Sequence, residues 1–274
     1  MTIDESYLAV PEVIISPRGQ YADDLRKFQG IPGIERASNG RLWATWYGGG
    51  EGEGKENYIM LATSADDGLS WSDLKLVIDP PCRATESGLW HDPQGRLWLM
   101  WNQYSTGFIC NSNTALWAIV TSNSGCENPT WSPPRMITRE LSCFNKPLVL
   151  SEGTWIWPTL SWRRSSIPSK PLLSYDNGRT FVPGGFIMIP EERECDEYNI
   201  VELRDGRLWV LLRTNRSMVE SFSTDKGLTW NEASQSKIKN ARSRHFLTRL
   251  RSGNLLLVKH GAIDQRIDRS HLMA

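Results

Sequence analysis

Eight to eleven residues ahead of each of five strand-opening glycines the chain places a short, mostly polar segment: Gln29-Gly30, Thr85-Glu86, Phe144-Asn145, Asp196-Glu197 and Ser243-Arg244-His245. Lys146 adjoins Asn145, and His91 lies further along from Glu86. If these segments enter neighbouring strands of one repeated unit, they bring Glu86, Lys146, Glu197, Arg244 and His245 to a single opening. Carboxylates there can exchange protons, and the cations and imidazole can hold oxygens. Such a gathering suits a polar ligand, either anionic or heavily hydroxylated. Any one of these residues has a plain reading as a solvated rim group; as a set they point to a site.

The elements that position them repeat. Ser64-Ala-Asp66-Asp-Gly68-Leu-Ser70-Trp71, Ser174-Tyr-Asp176-Asn-Gly178-Arg-Thr180-Phe181 and Ser223-Thr-Asp225-Lys-Gly227-Leu-Thr229-Trp230 share the form Ser-x-Asp-x-Gly-x-Ser/Thr-aromatic, and a degraded copy starts at Ser122-Asn-Ser-Gly125. Starts about 50 to 60 residues apart signal a solenoid, propeller or array. Each copy reads as a hairpin turn: the Asp oxygen takes backbone N–H groups just ahead, the Gly accepts positive φ, and the aromatic packs beneath. A second repeat runs between the turns, a polar-Gly pair opening a short apolar strand: Gly40-Arg41-Leu42-Trp43, Gly95-Arg96-Leu97-Trp98, Gly153-Thr-Trp155, Gly206-Arg207-Leu208-Trp209 and Gly253-Asn-Leu255. Ahead of each lies another short strand, at Gly33–Glu35, Gly88–His91, Pro147–Leu150, Asn199–Leu203 and His245–Leu250.

Each unit is therefore a four-stranded sheet with two faces to bury, and radial stacking into a β-propeller buries both. The expectation is an all-β fold, one propeller domain over residues 1–274, with five blade starts visible and the last blade incomplete at Ala274. An open strand edge would favour self-association, unless Tyr7–Ser16 closes the ring. The 13 Trp fall mostly at strand positions and read as packing between blades. Lys plus Arg and Asp plus Glu number 31 each, without a basic stripe, which argues against nucleic acid or a membrane surface as partner. No apolar run reaches spanning length and Met1–Gly19 lacks a signal-peptide pattern, so a cytoplasmic location is expected. Cys82, Cys110, Cys126, Cys143 and Cys195 are odd in number and lack CxxC spacing, so neither a disulfide framework nor a zinc site is expected, and no cofactor.

The Asp-turns, the Ile31-Pro32 element and the run from Asp196-Glu197 through Asp205-Gly206 to Arg213 resemble the sialidase (neuraminidase) superfamily over nearly the whole chain. The resemblance implies a six-bladed propeller with three arginines on the sugar carboxylate, a Glu that polarises a Tyr nucleophile, and an Asp acid/base. It assigns Glu197 as that Glu, Arg213 as the second arginine and Arg269 as the third, with Arg266 a near competitor. The guanidinium fork matches a carboxylate as lysine cannot. A phenol attacks at neutral pH when a neighbouring carboxylate takes its proton.

The sequence departs from that pattern at three places. Gly30 stands where the family has its first arginine, and Arg36 lies six residues later. The acid/base position falls in Gly48-Gly-Gly-Glu51-Gly-Glu53-Gly-Lys55-Glu56-Asn57, where Glu53 is the first choice and Glu51 the second, with Glu56 in the same loop. No residue matches the nucleophilic Tyr. The resemblance thus implies exo-acting hydrolysis at a terminal acidic or related sugar, with activity on a sialoside weakened. A lyase or glycosidase using His91 or His245 is one alternative. A carbohydrate-binding or interaction propeller that kept the cup and lost the chemistry is another.

Overall fold

A computed structural model describes residues 4–105, 113–161, 168–189, 197–214, 218–239, 241, 243–261, 269 and 271–274. The fold is an all-β propeller with five blade sheets. Helical structure among the described residues is limited to three short 3-10 turns, at Ser6–Leu8, Gly19–Tyr21 and Asp23–Leu25. No helix among them is long and apolar enough to cross a membrane. Asp196, Arg266, Cys110 and Cys195 lie outside the described residues.

The chain forms two compact units, Met1–Lys146 and Pro147–Ala274. The first contains β1 (Glu12–Ile15), β2 (Phe28–Arg36), β3 (Leu42–Gly49), β4 (Tyr58–Ser64) and β5 (Leu76–Asp79), which pair in the order β1-β5-β4-β3-β2. Its second sheet runs β6 (Arg83–His91), β7 (Leu97–Tyr104), β8 (Thr114–Thr121) and β9 (Arg135–Arg139) in sequence order, and the two-residue β10 (Ser142–Cys143) follows. The second unit has β11 (Leu148–Val149), β12 (Trp155–Trp157), the short β13 (Thr159–Leu160), β14 (Leu172–Ser174) and β15 (Val182–Pro183). Then come β16 (Tyr198–Glu202), β17 (Leu208–Arg213), β18 (Met218–Ser223) and β19 (Ser234–Gln235), and finally β20 (Phe246–Arg249), β21 (Leu255–His260) and β22 (Leu272–Met273). Their sheets are β11-β12-β14-β15, β16-β17-β18-β19 and β20-β21-β22.

Alternation along β3 explains how the first two sheets join. Trp43, Thr45 and Tyr47 are fully buried, and Trp43, Tyr47 and their neighbours merge with Leu89, Leu97, Leu99, Trp101 and Trp117 of the second sheet into one core. Polar groups inside that seam are matched: Trp43 Nε1 donates to the Ser124 carbonyl at 2.7 Å, and Thr45 Oγ1 lies 2.9 Å from Ser87 Oγ. The same device ties Asn102 of β7 to both backbone groups of Cys143, at 3.0 and 3.1 Å. The segment before the first blade is structured rather than loose. Gln103 Nε2 donates to the Tyr7 carbonyl at 2.9 Å, while β1 adds a fifth strand along β5. Of the two outcomes expected at the open edge, an exposed strand or closure by Tyr7–Ser16, the second is not what this strand does: Glu12–Ile15 extends the outer edge of the first blade.

The three Asp-turns share one bonding scheme. In the first, Ser64 Oγ donates to Asp66 Oδ1 at 2.8 Å and accepts from the Gly68 N–H at 2.9 Å, while Asp66 Oδ1 also accepts from the Ser70 N–H at 2.9 Å. Ser174-Asp176-Gly178-Thr180 and Ser223-Asp225-Gly227-Thr229 repeat it. Bonds from Ser70 and Thr180 hold the Asp66 and Asp176 carboxyls down to about 2. In the degraded copy Asn123 replaces the Asp and is held by Thr121 Oγ1 at 2.6 Å.

Because the buried serine is the hub of each turn, Ser64→Ala, Ser174→Ala and Ser223→Ala should each lower stability by about 1–2 kcal/mol, by leaving a turn N–H without its acceptor. Thermal unfolding should show the three losses to be similar. Leu69→Ala, at a side chain 89% exposed on the same turn, should leave the midpoint in place.

Candidate functional site

In the first unit, β2 and β6 carry the same irregularity. Gly30 pairs with Tyr47 and Gly33 with Thr45, so Ile31 and Pro32 oppose one residue; Thr85 pairs with Asn102 and Gly88 with Met100, so Glu86 and Ser87 do the same. Both are β-bulges, and the first bulged residue of each has positive φ, 37° at Ile31 and 52° at Glu86. Pro32 is tolerated because a bulge interrupts the ladder there. For Glu86 the bulge turns a carboxylate away from its strand's regular alternation, and the residue is 7% exposed.

Around this bulge lies a compact charged cluster. Tyr47 Oη donates to Glu53 Oε1 at 2.6 Å, and Arg83 Nη2 stands 3.4 Å from Glu53 Oε2. The Arg83 side chain is wholly buried, while that of Glu53 is 41% exposed. Burial, the Glu86 charge and the bond to Glu53 hold the Tyr47 phenol well above its usual range, so it remains a donor at any physiological pH. The three loop carboxylates have separate fates. Glu51 is exposed and paired with Lys27 at 2.9 Å, Glu56 folds against Gly50, and Glu53 turns to Tyr47 and Arg83. Asn57, buried, fastens the loop by accepting from the Gly54 N–H at 2.8 Å and donating to the Gly52 carbonyl at 2.9 Å.

Tyr47 was not legible as a site residue from motif spacing. Its signal is the hairpin register: it lies directly across from Gly30, but the count is displaced by the bulge at Ile31-Pro32. Arg83 carries no motif at all; only its burial in a polar wall reveals it.

Lys146 and His91 meet at Glu35, near the end of β2; His91 is the last residue of β6, five residues beyond Glu86. Lys146 Nζ reaches the Ile34 carbonyl at 2.9 Å and Glu35 Oε2 at 2.7 Å, and His91 Nδ1 faces Glu35 Oε1 at 3.8 Å. Burial alone would raise the Glu35 carboxyl; the facing His91 ring and the Lys146 charge outweigh it and bring it down to about 2. The other His91 nitrogen meets Ser124 Oγ at 2.9 Å.

In the second unit, Glu197 and Arg213 meet. Tyr198 pairs with Leu212, and the Arg213 N–H donates to the Glu197 carbonyl at 2.9 Å, so the two face each other one step beyond the ladder. Arg213 Nη1 donates to Glu197 Oε2 at 2.6 Å, and the two side chains are 11% and 9% exposed. His245 is buried with Nε2 donating to the Leu211 carbonyl at 3.1 Å, and its own carbonyl accepts from Asn199 at 3.0 Å. Burial and the Arg244 and Arg213 charges push its imidazole down to about 4, so it serves as a neutral strut between β17 and β20. Arg244 is half-buried beside it, and Arg269 is exposed with φ 51° just before β22. Among the described residues no cluster of His, Cys, Asp and Glu could hold a metal.

Known proteins share this architecture. The sequence matches the family described as "BNR repeat-like domain" over residues 32–274. No curated protein matches it. Among solved structures it is similar to a protein of unknown function from Dyadobacter fermentans, at 14% identity and TM-score 0.69, covering 92% of this chain and 79% of that one. It is also similar to the Hadza microbial sialidase Hz136 (16%, 0.66, 86% and 53%) and to the intramolecular trans-sialidase from Ruminococcus gnavus (14%, 0.66, 86% and 78%). The match thus spans about half the length of the Hadza enzyme. At these identities the likeness is one of fold.

Two measurements test the second unit. Arg213→Met should cost about 3 kcal/mol by stranding a buried carboxylate, whereas Glu197→Gln with Arg213→Gln should cost clearly less. Chemical denaturation of both variants decides this, and equal losses would mean the pair is not coupled. His245 has a folded pKa below its unfolded value near 6.5, so between about pH 6.5 and 4 the unfolded chain binds the extra proton and stability falls as pH falls. That loss, about 3 kcal/mol in all, should be absent from a His245→Gln variant followed across the same window.

Proposed function

We propose, on the premise that the chain belongs to the BNR repeat-like domain family, that it is an exo-acting glycoside hydrolase of sialidase-like architecture in which Glu53 transfers the proton. One observation carries the reading: among Glu51, Glu53 and Glu56, Glu53 is the carboxylate seated on a phenol and a buried guanidinium while still open to a ligand. The Tyr47 bond fixes one oxygen and Arg83 steadies the other. A proton on this carboxyl can pass to a glycosidic oxygen as the bond breaks, and the carboxylate can then take one from water.

The second reading, a carbohydrate-binding propeller without turnover, draws on a different observation. The Arg213 fork is already engaged by Glu197 at 2.6 Å, and Gly30 offers no guanidinium, so the carboxylate clamp implied by the family resemblance is depleted.

Release of 4-methylumbelliferone from a panel of aryl glycosides separates the two. Hydrolysis is expected for at least one member, with Glu53→Gln slowing it by about a hundredfold or more and Glu51→Gln leaving it within about twofold. Glycoside binding without release anywhere in the panel would establish the binding reading. Turnover untouched by Glu53→Gln would remove Glu53 from the chemistry.

A further inference from the structure

We propose that a cleft on the flank of the first blade is a second carbohydrate-binding site, in which Trp46 and Trp71 seat sugar rings and Arg18 and Asp73 take their hydroxyls. The cleft has a volume of about 920 Å³, room for a ligand of more than one ring. Residues 16–26 border it on one side and residues 71–75 on the other. Its floor is made by Ala44 of β3 and Ala62 of β4, direct cross-strand partners whose methyl groups leave depth that larger side chains would fill. Trp46 and Tyr47 are consecutive in β3, so their side chains leave opposite faces of the sheet. The cleft is therefore distinct from the Glu53 cluster and does not depend on the reading given to it.

The first ground is a tryptophan that its own turn does not use. In the second Asp-turn, Phe181 lies edge-on to Trp157 with centroids 4.9 Å apart, and beyond the degraded copy Trp131 lies edge-on to Trp43 at 6.3 Å. Trp230, closing the third, is half-buried. Trp71 closes the first, yet it is 43% exposed and makes no ring contact among the described residues. Trp46 has its indole N–H engaged, donating to Gln29 Oε1 at 2.8 Å, so what it offers the cleft is apolar ring surface. The C–H face of a pyranose is a fitting cover for two such rings.

The second ground is the polar groups left over. Arg26 and Lys75 also line the cleft but are already engaged: Arg26 donates to the Tyr21 carbonyl at 2.6 Å and pairs with Asp23, and Lys75 pairs with Glu127 at 2.5 Å. The side chains of Arg18 and Asp73 make no hydrogen bond or ion pair among the described residues, and one stands on each border. A purely apolar ligand would cover both charges without pairing either. Sugar hydroxyls both donate and accept, so one ligand can serve the guanidinium and the carboxylate together. Ser16, on the same border as Arg18, is held at φ 51°, a strained conformation of the kind that collects at ligand clamps.

Calorimetric titration with cellohexaose, xylohexaose, laminarihexaose and chitohexaose tests this, together with fluorine NMR of protein carrying 5-fluorotryptophan. At least one hexasaccharide should bind and shift the resonances of Trp46 and Trp71, identified through Trp46→Phe and Trp71→Phe. Trp71→Ala should weaken binding about tenfold or more. Arg18→Gln and Asp73→Asn, at exposed and unpaired side chains that the fold does not need, should each weaken it about three- to tenfold. Glu53→Gln, which shares no partner with the cleft, should leave the affinity within about twofold. Failure of every hexasaccharide to bind would overturn the proposal. So would binding that Glu53→Gln abolishes and that Trp71→Ala, Arg18→Gln and Asp73→Asn leave unchanged, which would put the sugar at the Glu53 cluster alone. Sedimentation as a dimer that Trp71→Ala returns to monomer, with no saccharide shifting either resonance, would overturn it in favour of a second copy of the chain in the cleft.

Discussion

A β-hairpin has little freedom left once its turn is closed: the turn sets the register, and the register sets which side chains face each other for the whole length of the pair. In this protein the consequence reaches the far end of each hairpin. The Asp205-Gly206 turn aligns Glu202 with Leu208 and, at the other end of the pair, Glu197 with Arg213. The Asn39-Gly40 turn likewise leads to Gly30 opposite Tyr47, after one extra residue is absorbed on the way. Residues that look distant in sequence are therefore neighbours by construction, and a slip of one position would send Tyr47 to the other face of the sheet.

The bulges modify that rule where the charged cluster of the first unit is concentrated. An extra residue in β2 and in β6 bends each strand and puts its first member at positive φ, a conformation that Ile31 and Glu86 adopt at some cost. Ile31 recovers part of it by packing against the core of the first two blades. Glu86 has no comparable apolar return, since it brings a carboxylate into a buried position. Strain and burial at one residue, beside a phenol and a guanidinium, are features that collect at ligand-facing walls.

The repeated elements were legible in the sequence because each depends on short-range chemistry. A Ser, an Asp and a Gly at fixed offsets specify their own hydrogen bonds, so the three turns and the five strand pairs could be read off directly. The Glu197–Arg213 meeting was legible for the same reason, since one uninterrupted hairpin joins them. The partners of Lys146, His91 and His245 were not legible, because they depend on strand lengths and on packing between strands that local spacing does not encode. Lys146 is drawn to Glu35 by a charge 111 residues earlier, and His245 is buried by the neighbouring blade that supplies the Leu211 carbonyl. Tyr47 was missed although its sequence signal exists, since finding it required placing a bulge that only Ile31-Pro32 hints at.

Two clusters of charge in the first unit show how a structural arrangement differs from one that is poised to act. Glu35 has both oxygens satisfied, one by the Arg36 N–H at 2.9 Å and one by Lys146 at 2.7 Å, with His91 alongside. Its attractions outweigh the cost of burial, as the lowered carboxyl shows. Glu53, Glu86, Arg83 and Tyr47 are balanced differently. Burying Arg83 completely is costly, and apolar side chains of similar volume would seal a blade seam at least as well. The cation is offset by Glu53, whose side chain nevertheless remains 41% exposed. A second carboxylate, Glu86, presses its charge on the same phenol. Glu35 is turned inward, and so is Glu86; Glu53 is the carboxylate that is not. The cluster holds it by two partners from behind and leaves it within reach of hydroxyl donors from outside, which is the physical basis for reading the cluster as a site.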